Sequence, residues 1–176
     1  MTIGEMSDAA LTVVRTHHAW AGPICFGLAF LESLAFVSLL VPSAILLIAI
    51  GGLVPLSSIS FTEIWIGAAV GAALGDWLSY WLGHRFGHRI STLWPFTRYP
   101  EMLPRTHRFF ERWGALGVFL GRFLGPLRAT VPLVAGMGAM PFWPFQIANM
   151  TSALLWSAGL MVPGAFGVAW MRQVFG

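Results

Sequence analysis

Lysine is absent from this chain: all ten basic residues are arginine, against seven acidic ones, and charged residues make up only 10% of 176 positions. So little charge excludes an ordinary solvated surface. With 57% apolar residues and a mean hydropathy of +0.74, the composition is that of a polytopic membrane protein and not of a soluble core. Arginine without lysine suits planar recognition of phosphate or carboxylate, and is equally what a GC-rich genome yields. The single cysteine, Cys25, excludes an internal disulfide and a cysteine metal cluster and reads as a packing residue in an apolar run. No basic start precedes the first apolar run, which begins only near Trp20 and is too long for a signal-peptide core. Insertion is therefore expected through the spans themselves.

What is present is four apolar segments of unequal length. Trp20 to Val54 covers 35 residues with Glu32 as its only charge. As one helix it would be about 52 Å long, against a hydrocarbon core of about 30 Å, yet two full spans need about 40 residues and a turn. The remaining option is a broken, re-entrant hairpin, with its break near Pro42, which removes a donor and disfavours helix at Val41. Trp113 to Met140 repeats the problem, with Arg122, Gly125, Pro126, Arg128 and Pro132 inside 28 residues. By contrast, Ile64 to Gly83 and the uncharged run from Phe142 to Met171 read as ordinary transmembrane helices.

The order is thus hairpin, span, polar connector, hairpin, span. An odd number of crossings per unit makes the two units inverted repeats, an architecture in which transporters place their site near the midplane. A shift of 90 positions superposes Gly27 on Gly117, Val41-Pro42 on Val131-Pro132 and Glu32 on Arg122. The expected layout is a single membrane domain over 1–176: an interfacial helix at 1–19, a first repeat at 20–83, a basic connector at 84–112 and a second repeat at 113–171. Glu32, Asp76, Arg122 and Arg128 interrupt these apolar stretches. A charge at membrane depth costs several kcal/mol unless paired or hydrated, so these four mark the expected site, with Glu32 and Asp76 as stations for a proton or ion.

The connector carries six arginines (Arg85, Arg89, Arg98, Arg105, Arg108, Arg112) against Glu101 and Glu111, with aromatic residues between them. Short basic loops stay in the cytoplasm, and the aromatic pattern suits the headgroup layer better than nucleic acid. His84 and His88 stand four apart, but no third ligand follows at metal spacing, so no metal and no cofactor are expected. Ser33 and Ser79 lie near carboxylates, yet no histidine falls in a span to act as base, and an enzyme is not expected. The stripe Gly67-x-x-x-Gly71-x-x-x-Gly75 lets a helix approach closely, either from the same chain or, as a homodimer, from a second copy. Asn149, in the last span, reads as an interhelical hydrogen-bonding residue.

FLESLAFVSLLVPSAILL, GAALGDWLSYWLGHRFG, GRFLGPLRATVPLVAGMGAMPFWPF and LLWSAGLMVPGAFG, over residues 20 to 167, resemble the successive blocks of the DedA family of bacterial inner-membrane proteins, which share a VTT domain with eukaryotic lipid scramblases. The resemblance implies two re-entrant hairpins in inverted repeat and translocation of a lipid, undecaprenyl phosphate in some members and phospholipids in others. The family's functional glutamate corresponds to Glu32, its arginine pair to Arg122 and Arg128, and its glycine-aspartate to Gly75-Asp76. There are two departures. Pro42-Ser43-Ala44 stands where many members carry a second acidic residue, and the chain stops at Gly176, where many continue with a further helix, as a truncated or short member would.

Arginines in the broken part of a hairpin can hold a lipid phosphate through bidentate, charge-assisted hydrogen bonds while the tails stay in lipid. On one helix Arg122 and Arg128 would point about 240° apart, so the chain must turn at Gly125-Pro126 to bring them together. Glu32 would pair with an arginine and yield it when an anionic membrane lipid arrives. The alternative is a non-transporting scaffold or channel-like protein whose buried ion pairs lock the two repeats.

Overall fold

The computed structural model describes residues 20–34, 43–56, 59–90, 102–124, 128 and 130–175, and every regular element among them is helical. The helices are α1 (Ala21–Ser33), α2 (Ser43–Leu53, continued by a 3-10 turn at Val54–Leu56), α3 (Phe61–Ile90), α4 (Met102–Gly121), α5 (Thr130–Met137) and α6 (Phe142–Phe175). The two over-long apolar segments are each divided. The first becomes helices of 13 and 11 residues, about 20 and 17 Å long, neither of which crosses a core of about 30 Å alone. The second is divided between the end of α4 and the eight residues of α5. Pro42, Gly125 and Pro126, and the helix expected at 1–19, lie outside the described residues.

Two expectations are corrected. Pro132 does not sit at a break: it is the third residue of α5, inside the first turn, where a helix has no partner for its N–H groups and proline is tolerated. The connector is not a loop throughout, because α3 continues to Ile90 and α4 begins at Met102. Arg108 and Arg112 stand four apart on α4 and share a helix face. Gly114 interrupts α4 with φ 47° and ψ −128°, a conformation open chiefly to glycine. That break separates the connector from the arm that leads to Arg122.

The long helix α3 organises the rest. α1 lies parallel to its first half, with the backbone of Gly22, Phe26 and Phe30 against Gly67, Gly71 and Gly75 in turn. A Cβ on Gly67 would stand 2.6 Å from the Gly22 carbonyl, so the small-residue stripe is filled by a helix of the same chain. α6 runs antiparallel to α3: Trp65 Nε1–H donates to the Leu154 carbonyl at 3.0 Å, Asn149 reaches Ala73, and Tyr80 stacks on Phe145 with centroids 4.2 Å apart. The short second arms then cross over. α2, from the first half, packs its glycines on α6 around Met161 and Gly164, while α5, from the second half, packs on α3 around Tyr80 and Gly83.

This arrangement makes two apolar cores. One joins Ala21, Cys25, Ala29, Leu47, Ile64, Ala68, Ala72, Trp156 and Met161; the other joins Tyr80, Phe110, Val118, Ala135, Phe145 and Ala148. Outside them the surface is itself apolar, with Trp143 73%, Ile45 70%, Phe166 70% and Ile147 64% exposed. Side chains of that kind on the outside need a hydrocarbon solvent. Hydroxyls along α6 are satisfied within their own helix, as Ser157 donates to the Ala153 carbonyl at 2.9 Å and Thr151 to that of Ile147 at 2.7 Å.

α5 ends in a left-handed turn at Ala139 (φ 52°), with Met140 N–H donating to the Ala135 carbonyl and Ala139 N–H to that of Gly136. These are the two bonds of a Schellman cap, whose left-handed position ordinarily takes glycine. Tyr80 Oη fixes the turn by donating to the Met140 carbonyl at 2.6 Å. Ala139→Gly should therefore raise stability by about 1 kcal/mol, read as a higher melting temperature in detergent. Gly71→Val should do the reverse and abolish the α1–α3 contact, giving little folded protein on size-exclusion chromatography.

Candidate functional site

The four charges of the apolar stretches meet where the two cores join. On α3 the first core ends at Ala73 and the second begins at Tyr80, and Asp76 lies between them. Since α1 runs parallel to α3 with Phe30 against Gly75, Glu32 in the last turn of α1 arrives at the level of Asp76. Arg122 follows directly on α4, and Arg128 lies beyond the break. Glu32, Asp76 and Arg122 are 7%, 7% and 5% exposed, so all three are removed from solvent.

Arg122 is held through two of its three nitrogens. Its Nη2 makes an ion pair with Asp76 Oδ2 and donates to Asn149 Oδ1 at 2.7 Å, while its Nε donates to Ser152 Oγ at 3.0 Å. Each partner is in turn anchored: Asn149 Nδ2 donates to the Ala73 carbonyl at 2.8 Å and to Gln146 Oε1 at 3.2 Å, and Ser152 Oγ donates to the Asn149 carbonyl at 3.0 Å. Ser79 Oγ donates to the Ser33 carbonyl at 3.3 Å, which ties the end of α1 to α3. These serines thus have structural partners.

Arg128 is differently placed. Its Nη2 stands 2.5 Å from Glu32 Oε1, and its guanidinium carbon lies 4.3 Å from the centroid of the Trp156 ring. That ion pair lacks hydrogen-bond alignment: Arg128 Nη2 and Glu32 Oε2 are both buried without a hydrogen-bond partner. The repeat register set Glu32 opposite Arg122, whereas the structure sets Glu32 on Arg128 and Arg122 on Asp76. The reason is that α4 ends at Gly121, so the two arginines do not share one helix, and Arg128 meets Glu32 at the end of α1.

Asn149 makes the interhelical bond its position in a span implies. Ser152 and Trp156 were not singled out from the sequence. Their signal was spacing, since 149, 152 and 156 fall on one face of a helix, and a tryptophan in mid-span lies away from the interfacial belts where that residue collects. His84 stacks on Tyr80, its ring centroid 6.0 Å away. Among the described residues no three histidine, cysteine or acidic side chains converge as metal ligands.

The VTT domain model matches residues 41–166. The chain belongs to the VTT-domain (DedA) family. Inner membrane protein YabI of Escherichia coli is 36% identical over 137 residues, covering 77% of this chain and 54% of that protein. Uncharacterized membrane protein BU139 of Buchnera aphidicola is 34% identical over 135 residues, covering 77% and 53%. Protein DedA of Escherichia coli is 43% identical over 54 residues, covering 31% and 25%. This VTT-domain chain spans about half the length of the first two of these relatives. No solved structure matches it. The relatives' names and the apolar exterior agree that this is a membrane protein.

The Arg122 network generates a prediction of its own. Asn149→Leu leaves a buried guanidinium short of one acceptor, and should cost about 2 kcal/mol of stability. Asp76→Leu, which leaves the charge uncompensated, should cost about 3 to 5 kcal/mol. Melting curves of the purified variants in detergent check the order.

Proposed function

We propose that this protein translocates a phosphate-bearing lipid, such as undecaprenyl phosphate or a phospholipid, across the bacterial inner membrane as a flippase or scramblase. The headgroup binds at buried arginines in exchange for a buried carboxylate. The observation that carries the reading is the Glu32–Arg128 pair: the two charges are in contact, yet each keeps a buried polar atom without a hydrogen-bond partner. An incoming phosphate supplies the aligned, bidentate acceptors that Glu32 does not. Glu32 is the carboxylate that yields its arginine, while Asp76 stays engaged by Arg122.

The architecture that goes with this function is an inverted repeat of two re-entrant hairpins, the basic connector facing the cytoplasm. It is supported by the two divided apolar segments, the antiparallel α3 and α6, and the crossing of α2 and α5. No chemical conversion of the lipid is part of the proposal. A second reading, a non-transporting scaffold, draws on the Arg122 network, whose several bonds to α3 and α6 are what a permanent lock between helices looks like.

The discriminating measurement is reconstitution into vesicles of digalactosyldiacylglycerol, whose matrix carries no phosphate, with a labelled phosphatidic acid or a labelled neutral glycerolipid of equal tails. The native protein should move the phosphate-bearing lipid at least about tenfold faster, and Arg128→Lys, which keeps the charge but loses the planar fork, should lose about tenfold of that rate at normal insertion. Equal rates for the two labels, or an unimpaired Arg128→Lys, would leave the scaffold.

A further inference from the structure

The two arginines are held in unlike ways, and the difference assigns a role to a residue outside the charges. Releasing Arg122 would orphan Asp76, Asn149 and Ser152 together, three buried groups on two helices. Releasing Arg128 from Glu32 breaks one contact that is already poorly aligned. Exchange therefore takes place at Arg128. Between leaving Glu32 and meeting an oxyanion its charge would lie unpaired in a dry site. One neighbour can carry it through that interval: the Trp156 ring, 4.3 Å from the guanidinium carbon, 8% exposed, and fixed in the first apolar core with Ala153 and Met161. A guanidinium has all five donors in its plane, so one resting on an aromatic face keeps its edge available for two parallel hydrogen bonds.

We propose that Trp156 is a positioning residue for lipid translocation, the seat on which Arg128 turns from Glu32 to the phosphate oxyanion of the incoming lipid. The proposal rests on the lipid-translocation reading above and adds a kinetic claim to it. The ring contacts Arg128 both while Glu32 holds it and while phosphate does, so most of its attraction cancels from the binding equilibrium. It does not cancel when neither anion is in contact, because there the ring is the partner that touches the charge, with Asp76 acting on it only from a distance. Trp156 thus acts on the rate of exchange and little on affinity.

The test uses the full chain in digalactosyldiacylglycerol vesicles with labelled phosphatidic acid at a series of mole fractions, so that maximal rate and half-saturation are read separately. Fluorinated tryptophans are placed at position 156 alone, since they drain the negative face of the ring at nearly constant shape and leave packing intact. The maximal rate should fall stepwise with fluorination, to about tenfold below native for the most fluorinated ring, with half-saturation changed by less than about twofold. W156F should keep most of the rate and W156L should lose at least as much as the fluorinated series. A rate indifferent to fluorination, or half-saturation moving in step with rate, overturns the role of Trp156. Failure of the native protein to prefer the phosphate-bearing label overturns the lipid-translocation reading instead.

Discussion

A guanidinium deep in an apolar interior must bring its countercharge and its hydrogen-bond acceptors with it, and Arg122 imposes that requirement on the rest of this molecule. Three residues from α3 and α6 meet it. Asp76 neutralises the charge, while Asn149 and Ser152 occupy donors that would otherwise face hydrocarbon. Asn149 can do so only because its own amide is spent on the Ala73 carbonyl, which locks α6 against α3 at one register. The two apolar cores are then laid down on either side of this polar plug.

Beside that well-bonded centre stands a poorly bonded one. Arg128 and Glu32 meet as charges without completing each other's hydrogen bonds, and their surroundings are an indole face and the end of a short helix. Two arginines six positions apart thus have separate physical characters, one a fastening and the other a contact ready to change partners. In a family whose members are defined by a shared domain and whose named relatives here are membrane proteins, that division separates what keeps the fold from what the fold presents.

Much of this was legible before any coordinates. Excess length required the first apolar run to break, because 35 residues fit neither one crossing nor two, and the charges and prolines inside the second run required the same of it. The four charges stood out because each violated its surroundings. The pairing among them was not legible: superposing the halves aligns equivalent positions, but contacts depend on where each helix ends, and α4 stops one residue before Arg122. Ser152 and Trp156 escaped notice because a serine and a tryptophan are unremarkable in an apolar helix until an arginine arrives beside them. Pro132 misled in the opposite direction, as a residue known for breaking helices that here begins one.

The crossing of the short arms bears on how the chain is made. α2 is made well before its partner, since the surface against its glycines belongs to α6, the last helix described, more than a hundred residues later. α1 can close on α3 as soon as both are inserted. α2 cannot finish until α6 has been made, and until then its two adjacent glycines, Gly51 and Gly52, lie open to lipid or to any other small-residue surface in the membrane. Packing of these arms is therefore paced by α6, on which elements of both halves close.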